Sequence, residues 1–146
     1  MAAAAPLVSV CVPTYNDAPF LAQSLQSIVQ QTYRQLEILI GDDASTDDTA
    51  AVVAAFDDPR IRYIRNAANL GQFENVNVLI RRATGDYIAI FHLVVFFLFL
   101  FFLREAAFLQ SHPQAGAVFA LDWRIDERGA VVGQTRLLPE VRAGSA

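Results

Sequence analysis

Hydrophobic positions along the chain switch repeatedly between strand and helix spacing, and the switches predict its elements. Leu7 to Val12, LVSVCV, reads as a strand that Pro13-Thr14-Tyr15-Asn16-Asp17 leaves as a polar loop. Asp17 can cap the next helix, with Pro19 tolerated in its first turn. Leu21, Leu25, Ile28 and Val29 fall on one face of that helix, opposite Gln23, Gln26, Ser27 and Gln30. Leu36, Ile38, Leu39 and Ile40, interrupted only by Glu37, form the apolar run of a strand covered on both faces, as in a parallel sheet. Gly41 ends that run and Asp42-Asp43 follow at its carboxyl end. Ser45 with Asp48 predicts an N-cap and a helix from about Asp47 to Phe56, with Val52, Val53 and Phe56 inward, broken by Asp58-Pro59. Ile61 to Arg65 alternates as a half-exposed strand, and Asn66 to Gly71 is a polar loop. Phe73, Val76, Leu79, Ile80 and Ala83 repeat at helical spacing up to a stop at Gly85, before a fourth strand at Tyr87 to Phe91.

This order, with its short connections, predicts an α/β class: a Rossmann-like, mostly parallel central sheet with helices on both faces. Further on, Arg104 to Ser111 continues as helix until His112-Pro113. Ala117 to Trp123 reads as a strand, Asp126 to Gly129 as a turn, Ala130 to Gly133 as its partner strand, and Thr135 onward as a tail. The 146 residues make one domain's worth, large enough for a core. A net charge of −4 gives no basic footprint for nucleic acid, so no nucleic-acid partner is expected. All 11 basic residues are Arg, a habit of composition more than a site. The single cysteine, Cys11, lies in an apolar strand and reads as a small core residue. MAAAAP lacks the basic and apolar regions of a signal peptide, so a cytoplasmic location, peripheral to the membrane at most, is the expectation.

Ligands of open α/β sheets bind just outside the carboxyl ends of the strands. Four segments collect there: Thr14-Tyr15-Asn16, Asp42-Asp43, Asn66 to Gly71, and whatever follows Phe91. A nucleotide suits such a crevice, with Tyr15 stacking on a base and an Asp carboxylate accepting from base or ribose. Each segment alone is more simply a turn; their convergence is what points to a site. The chain has neither a G-x-G-x-x-G after its first strand nor a G-x-x-x-x-G-K-S/T. Dinucleotide enzymes and P-loop NTPases are therefore set aside.

The stretches VSVCVPTYN, FLAQSLQSIVQQTY, LEILIGDDASTDDT, IRYIRNAANLGQFENVN and ATGDYIAIFH resemble, in order and spacing, the inverting family 2 glycosyltransferases of the GT-A fold. The resemblance covers roughly the first ninety residues and continues through LREAAFLQSHPQAGAVFALDW. It implies transfer of a sugar from a nucleoside-diphosphate sugar, UDP-type favoured, to an acceptor hydroxyl that the sequence does not name. It carries nucleotide contacts onto Pro13, Thr14, Tyr15, Asp42, Asp43, Asn69 and Gly71, and places Asn77 at the family's asparagine of the third helix. The resulting division is a single GT-A-like domain over 1–146, complete or truncated. Its parts are a nucleotide-binding core at 7–92, an apolar run and helix at 93–111, and a strand-hairpin and tail at 112–146. The family's catalytic base belongs to a region beyond residue 146, so no catalytic residue is assigned.

The chain departs from the family where Mg²⁺ or Mn²⁺ should be held. The acidic pair expected after the fourth strand aligns with Val94 and Val95, and neither can ligate a hard cation. His92 alone is a poor site, and Asp86 precedes the fourth strand at the wrong end to help. Asp122, Asp126 and Glu127 read as turn acids. Leu93 to Leu103, LVVFFLFLFFL, holds five of the eleven Phe and no charge. It is shorter than the ~20 residues of a membrane span. A replaced or degenerate metal loop is favoured, an interface with a membrane surface or a partner chain next, a true membrane span last. Family-level function is thus glycosyl transfer, impaired by loss of the metal-binding acids. The alternative is a non-catalytic nucleotide-binding module or one that docks on a membrane or partner.

Overall fold

The computed structural model describes residues 4–91, 101–118, 123–125 and 131–134. The chain forms two compact units, Met1–His112 and Pro113–Ala146. In the first, β1 (Val8–Thr14), α1 (Ala18–Val29), β2 (Leu36–Asp42), α2 (Thr49–Ala54), β3 (Ile61–Arg65), α3 (Gln72–Arg82) and β4 (Tyr87–Ile90) alternate as the periodicity predicts, followed by α4 (Phe101–Ser111). All strand pairings in this sheet are parallel, in the order β3-β2-β1-β4. In the second unit, β5 (Trp123–Ile125) and β6 (Val131–Gln134) pair antiparallel.

Strand side chains alternate between two faces, and each face has its own core. Val8, Val10 and Val12 of β1 and Leu36, Ile38 and Ile40 of β2 meet Leu21, Leu25 and Ile28 of α1, Val53 of α2, and Phe102 and Ala106 of α4. Each fully buried Leu or Ile of α1 contributes roughly 1.5–3 kcal/mol. The opposite face is thinner: Cys11, Leu39 and Ile64 pack under Leu79 of α3. Burial, and secondarily the charge of Glu37, push the Cys11 thiol up to about 11, so it behaves as an inert core group. Glu37, the one interruption of the β2 run, accepts from Ser9 Oγ and from Thr84, tying the α3–β4 connection to the amino ends of β1 and β2.

Three local expectations change. Asp17 precedes α1 but its side chain makes no cap bond; the Ala18 N–H is taken instead by Asp47 Oδ2 at 2.9 Å, from the connection after β2. Ser45 is not a cap either: its hydroxyl accepts from Asn16 N, and α2 starts four residues later at Thr49. The buried face of α3 runs through Asn75 and Leu79, leaving Phe73 at 87% exposure, because Gly41 on β2 opens the groove that receives these two side chains. Phe101–Leu103, the end of the apolar run, begins α4 with Phe102 buried. His92, Val94, Val95 and the rest of that run lie outside the described residues, as do Asp122, Asp126, Glu127 and the tail from Thr135.

Candidate functional site

The in-register pairing of β1 with β2 sets Thr14 beside Asp42, and one further ladder bond, Asp43 N to Thr14 O at 2.9 Å, carries the pairing past the strand end. From there the chain must turn sharply. Asn16 and Ala44 both adopt left-handed backbone, at φ 54° and 63°, and the two turns lock together. Asn16 N donates to Ser45 Oγ at 3.0 Å, and Asn16 Oδ1 accepts from Thr46 N at 2.7 Å. Non-glycine residues in this conformation are costly, and such strain gathers at sites that the surrounding structure over-determines.

Asp42 and Asp43, adjacent in sequence, emerge on opposite faces and serve different partners. Asp42 continues the Ile38/Ile40 phase, where Tyr63 and Arg65 of β3 are its same-face neighbours. Its buried carboxylate accepts from Ser45 N at 2.8 Å, Arg65 Nη1 at 2.8 Å and the Tyr63 hydroxyl. Burial is the largest single influence and pushes its pKa up, but these hydrogen bonds and the Arg65 charge together hold it below the usual carboxylate value. Arg65 also donates to Ser45 O at 2.7 Å, bracing the turn from outside.

Asp43 faces α3. Its Oδ1 accepts from Asn66 Nδ2 at 2.9 Å and Leu70 N at 2.8 Å, and its Oδ2 from Gly71 N at 2.9 Å. The carboxylate thus gathers the loop after β3 and sits at the amino end of α3, where the helix dipole favours a negative charge. Gly71, at φ 84°, supplies the backbone that turns loop into helix.

Between the β1 loop and the β3–α3 loop lies an open crevice of about 500 Å³, lined by Pro13, Thr14, Tyr15, Asp17, Phe20, Asp43, Asn69, Gly71, Gln72 and Asn75. The structure therefore brings together six of the seven residues singled out for nucleotide contact: Pro13, Thr14, Tyr15, Asp43, Asn69 and Gly71. Asp42 does not line the crevice; it braces the turn beneath. Asp17, Phe20, Gln72 and Asn75 were not anticipated. Asp17 had been read as a cap, and the apolar periodicity of α3 hid Asn75. Asn77 instead points to Glu74 on the exposed side of the helix.

The crevice is rich in hydrogen-bond acceptors and aromatic surface, and none of its lining residues is cationic. Tyr15 and Phe20 are 46% and 54% exposed, an apolar wall presented to a ligand instead of the core. The Thr14 hydroxyl is buried and finds no hydrogen-bond partner among the described residues. A parallel α/β sheet whose strand ends open into an acceptor-rich aromatic crevice defines the open α/β class, whose ligands bind at that opening.

Comparison with known proteins makes the class specific. Residues 9–140 match the family model described as Glycosyl transferase family 2, and the chain belongs to that family. Glycosyltransferase GlyG of Streptococcus pneumoniae is 37% identical over 86 residues, covering 58% of this chain and 29% of that protein. The Escherichia coli UDP-Glc:alpha-D-GlcNAc-diphosphoundecaprenol beta-1,3-glucosyltransferase WfgD is 36% identical over 83 residues, covering 57% and 33%. The chain thus spans about a third of the length of such relatives. Among solved structures, Staphylococcus aureus TarS 1–349 in complex with UDP-GlcNAc superposes with TM-score 0.70 at 25% identity, over 73% of this chain and 32% of that one. The mannosyltransferase PcManGT of Pyrobaculum calidifontis, in complex with GDP-Man and Mn²⁺, superposes with TM-score 0.67 at 30% identity, over 71% and 32%. The fold is the GT-A type.

Among the described residues no three His, Cys, Asp or Glu side chains cluster. Of the two acids that line the crevice, Asp43 is engaged by the loop it gathers, and Asp17 accepts from Tyr15 N at 3.4 Å. Among the described residues, no helix is long and apolar enough to cross a membrane.

Proposed function

We propose that the crevice binds the nucleoside of a UDP-type nucleotide sugar, and that the chain is the donor-binding part of an inverting glycosyltransferase whose metal support is impaired. The observation that carries this reading is the crevice itself. It sets Thr14 and the Asp43 carboxylate beside an exposed Tyr15 ring, all at the carboxyl ends of β1 and β2. In such a site Tyr15 stacks on the base, Thr14 and Asn69 meet base or ribose polar groups, and Asp43 accepts an N–H from the base edge.

The choice of base follows from counting. A carboxylate offers about four lone-pair sites, and Asn66, Leu70 and Gly71 occupy three of them. One remains, enough for the single imide N–H of uracil. The two-donor edge of guanine would need a second site, free only when one of those three donors leaves. Relatives divide on this point, since TarS is seen with UDP-GlcNAc and PcManGT with GDP-Man. In the transfer, an acceptor hydroxyl forms a bond to the anomeric carbon while the bond to the diphosphate breaks and its electron pair leaves with the nucleotide. This chain's residues hold and orient the nucleoside. The aligned positions Val94 and Val95 supply nothing to compensate the leaving diphosphate, which also favours a second reading, a nucleotide-binding module without turnover.

Calorimetric titration tests both. UDP binds equally with and without Mn²⁺, GDP binds at least about tenfold more weakly, Thr14→Val weakens UDP by about tenfold, and Asp43→Ala abolishes it. Absence of UDP binding at millimolar concentration defeats the nucleotide reading. A tenfold gain on adding Mn²⁺ defeats the claim of impaired metal support. Transfer of sugar from a UDP-sugar to an acceptor would decide against the module.

A further inference from the structure

Resting on the nucleotide reading, we propose that Asn75 is a positioning residue that sets base selectivity by holding one lone pair of Asp43 occupied through Asn66. Asn75 lies in the first turn of α3 and is 2% exposed. Both ends of its carboxamide are engaged. Nδ2 donates to the Gly41 carbonyl at 2.8 Å, and Oδ1 accepts from Asn66 Nδ2 at 3.1 Å. The same Asn66 amide gives its second hydrogen to Asp43 Oδ1 at 2.9 Å. An unbroken line of hydrogen bonds therefore runs from the β2 backbone through Asn75 and Asn66 to the carboxylate that faces the crevice.

The line is built by close approach. A Cβ at Gly41 would stand 2.8 Å from Asn75 Oδ1 and 2.9 Å from Leu79 Cδ1, so only glycine lets α3 settle this near β2. Asn66 is fixed at its other end by its own amide, which donates to Asp42 O at 2.8 Å. With two acceptors on opposite sides, the Asn66 side chain has one orientation that satisfies both hydrogens. Remove the Asn75 oxygen and that orientation loses half its support. Asn66 then leaves Asp43 Oδ1 for part of the time, and the carboxylate can accept two donors from a ligand. The second amide hydrogen and second oxygen lone pair of Asn75 are buried with the rest of the side chain, so its influence on the base runs through Asp43.

The test is a thermodynamic cycle on nucleotide affinity, with UDP and GDP as probes, in the parent, Asn66→Ala, Asn75→Ala and the double variant. Each single change is expected to weaken UDP by about tenfold and to narrow the UDP-over-GDP preference several-fold. The double change should cost about the same tenfold, since both break one line. A merely structural role lowers the folded fraction, which weakens both nucleotides alike and leaves their ratio where it was. An unchanged ratio in folded variants overturns the proposal, as does a double variant whose loss is the product of the two singles. If Asn75→Ala does not fold, Asn66→Ala, on the partly exposed loop, carries the same ratio test. Failure of the parent to bind either nucleotide would remove the nucleotide reading and the proposal with it. Parent binding with an immovable ratio removes the proposal alone.

Discussion

At the residue scale, the site turns on the opposite fates of two neighbouring carboxylates. Because strand side chains alternate, Asp42 shares a face with Tyr63 and Arg65, while Asp43 faces the loop and helix that wall the crevice. Asp42 is held charged, which makes it a stability residue with a defined pH signature. Its folded-state pKa lies below the ordinary carboxylate value. Its contribution is therefore complete above that ordinary value, about 4, and is lost as pH falls through the lower folded-state value. Asp42→Asn is expected to cost about 1–3 kcal/mol at neutral pH and to flatten the fall of melting temperature with acid. A variant whose melting temperature declines below pH 4 as steeply as the parent's would contradict this. The doublet was legible in the sequence as a site. The division of labour was legible too, in principle, since Asp42 is in phase with Ile38 and Ile40 while Asp43 is in phase with Leu39 and Gly41.

At the element scale, the connections after β1 and β2 brace each other more than they cap their own helices. Asp47 caps α1 from the far loop, and Asn16 holds Thr46. Local cap signals at Asp17 and Ser45 misread this because a side chain beside a helix start satisfies whichever donor folding brings near. Ala44 bears the strain of the arrangement at φ 63°. A left-handed conformation costs a non-glycine residue about 1–2 kcal/mol, against about 0.5–1 kcal/mol of extra chain entropy for glycine. Ala44→Gly should therefore raise the denaturant midpoint slightly, by the equivalent of about 0.5–1 kcal/mol. A lowered midpoint with unchanged slope would show that Ala44 is not strained. Helix α3 makes a different point. Its apolar spacing is real, but Gly41 and the polar demand of the Gly41 carbonyl turn Asn75 inward and Phe73 out.

At the scale of the whole molecule, the chain that forms the proposed nucleotide crevice carries Val94 and Val95 where the resemblance expects a metal-binding acidic pair. Restoring acids at both positions, Val94→Asp with Val95→Asp, is expected to make UDP binding at least about tenfold tighter in Mn²⁺ than without it, a metal neutralising the diphosphate where none of the crevice lining residues is cationic. Equal affinities with and without metal in that variant would mean that the alignment at these positions is misplaced.

The sequence by itself determined the order of elements, the parallel class of the sheet, and the strand ends at which a ligand site forms. Those follow from period and punctuation, which are local properties of the chain. It also named six of the residues that meet in the crevice. Tertiary structure alone decided which partners the two carboxylates take, that Asp17 and Phe20 face the crevice, and that Asn75 closes a line of hydrogen bonds to Asp43. Those depend on which buried donors and acceptors can reach one another once α3 has packed against Gly41, and a buried polar group takes its partner from across the fold more often than from its neighbours in the chain.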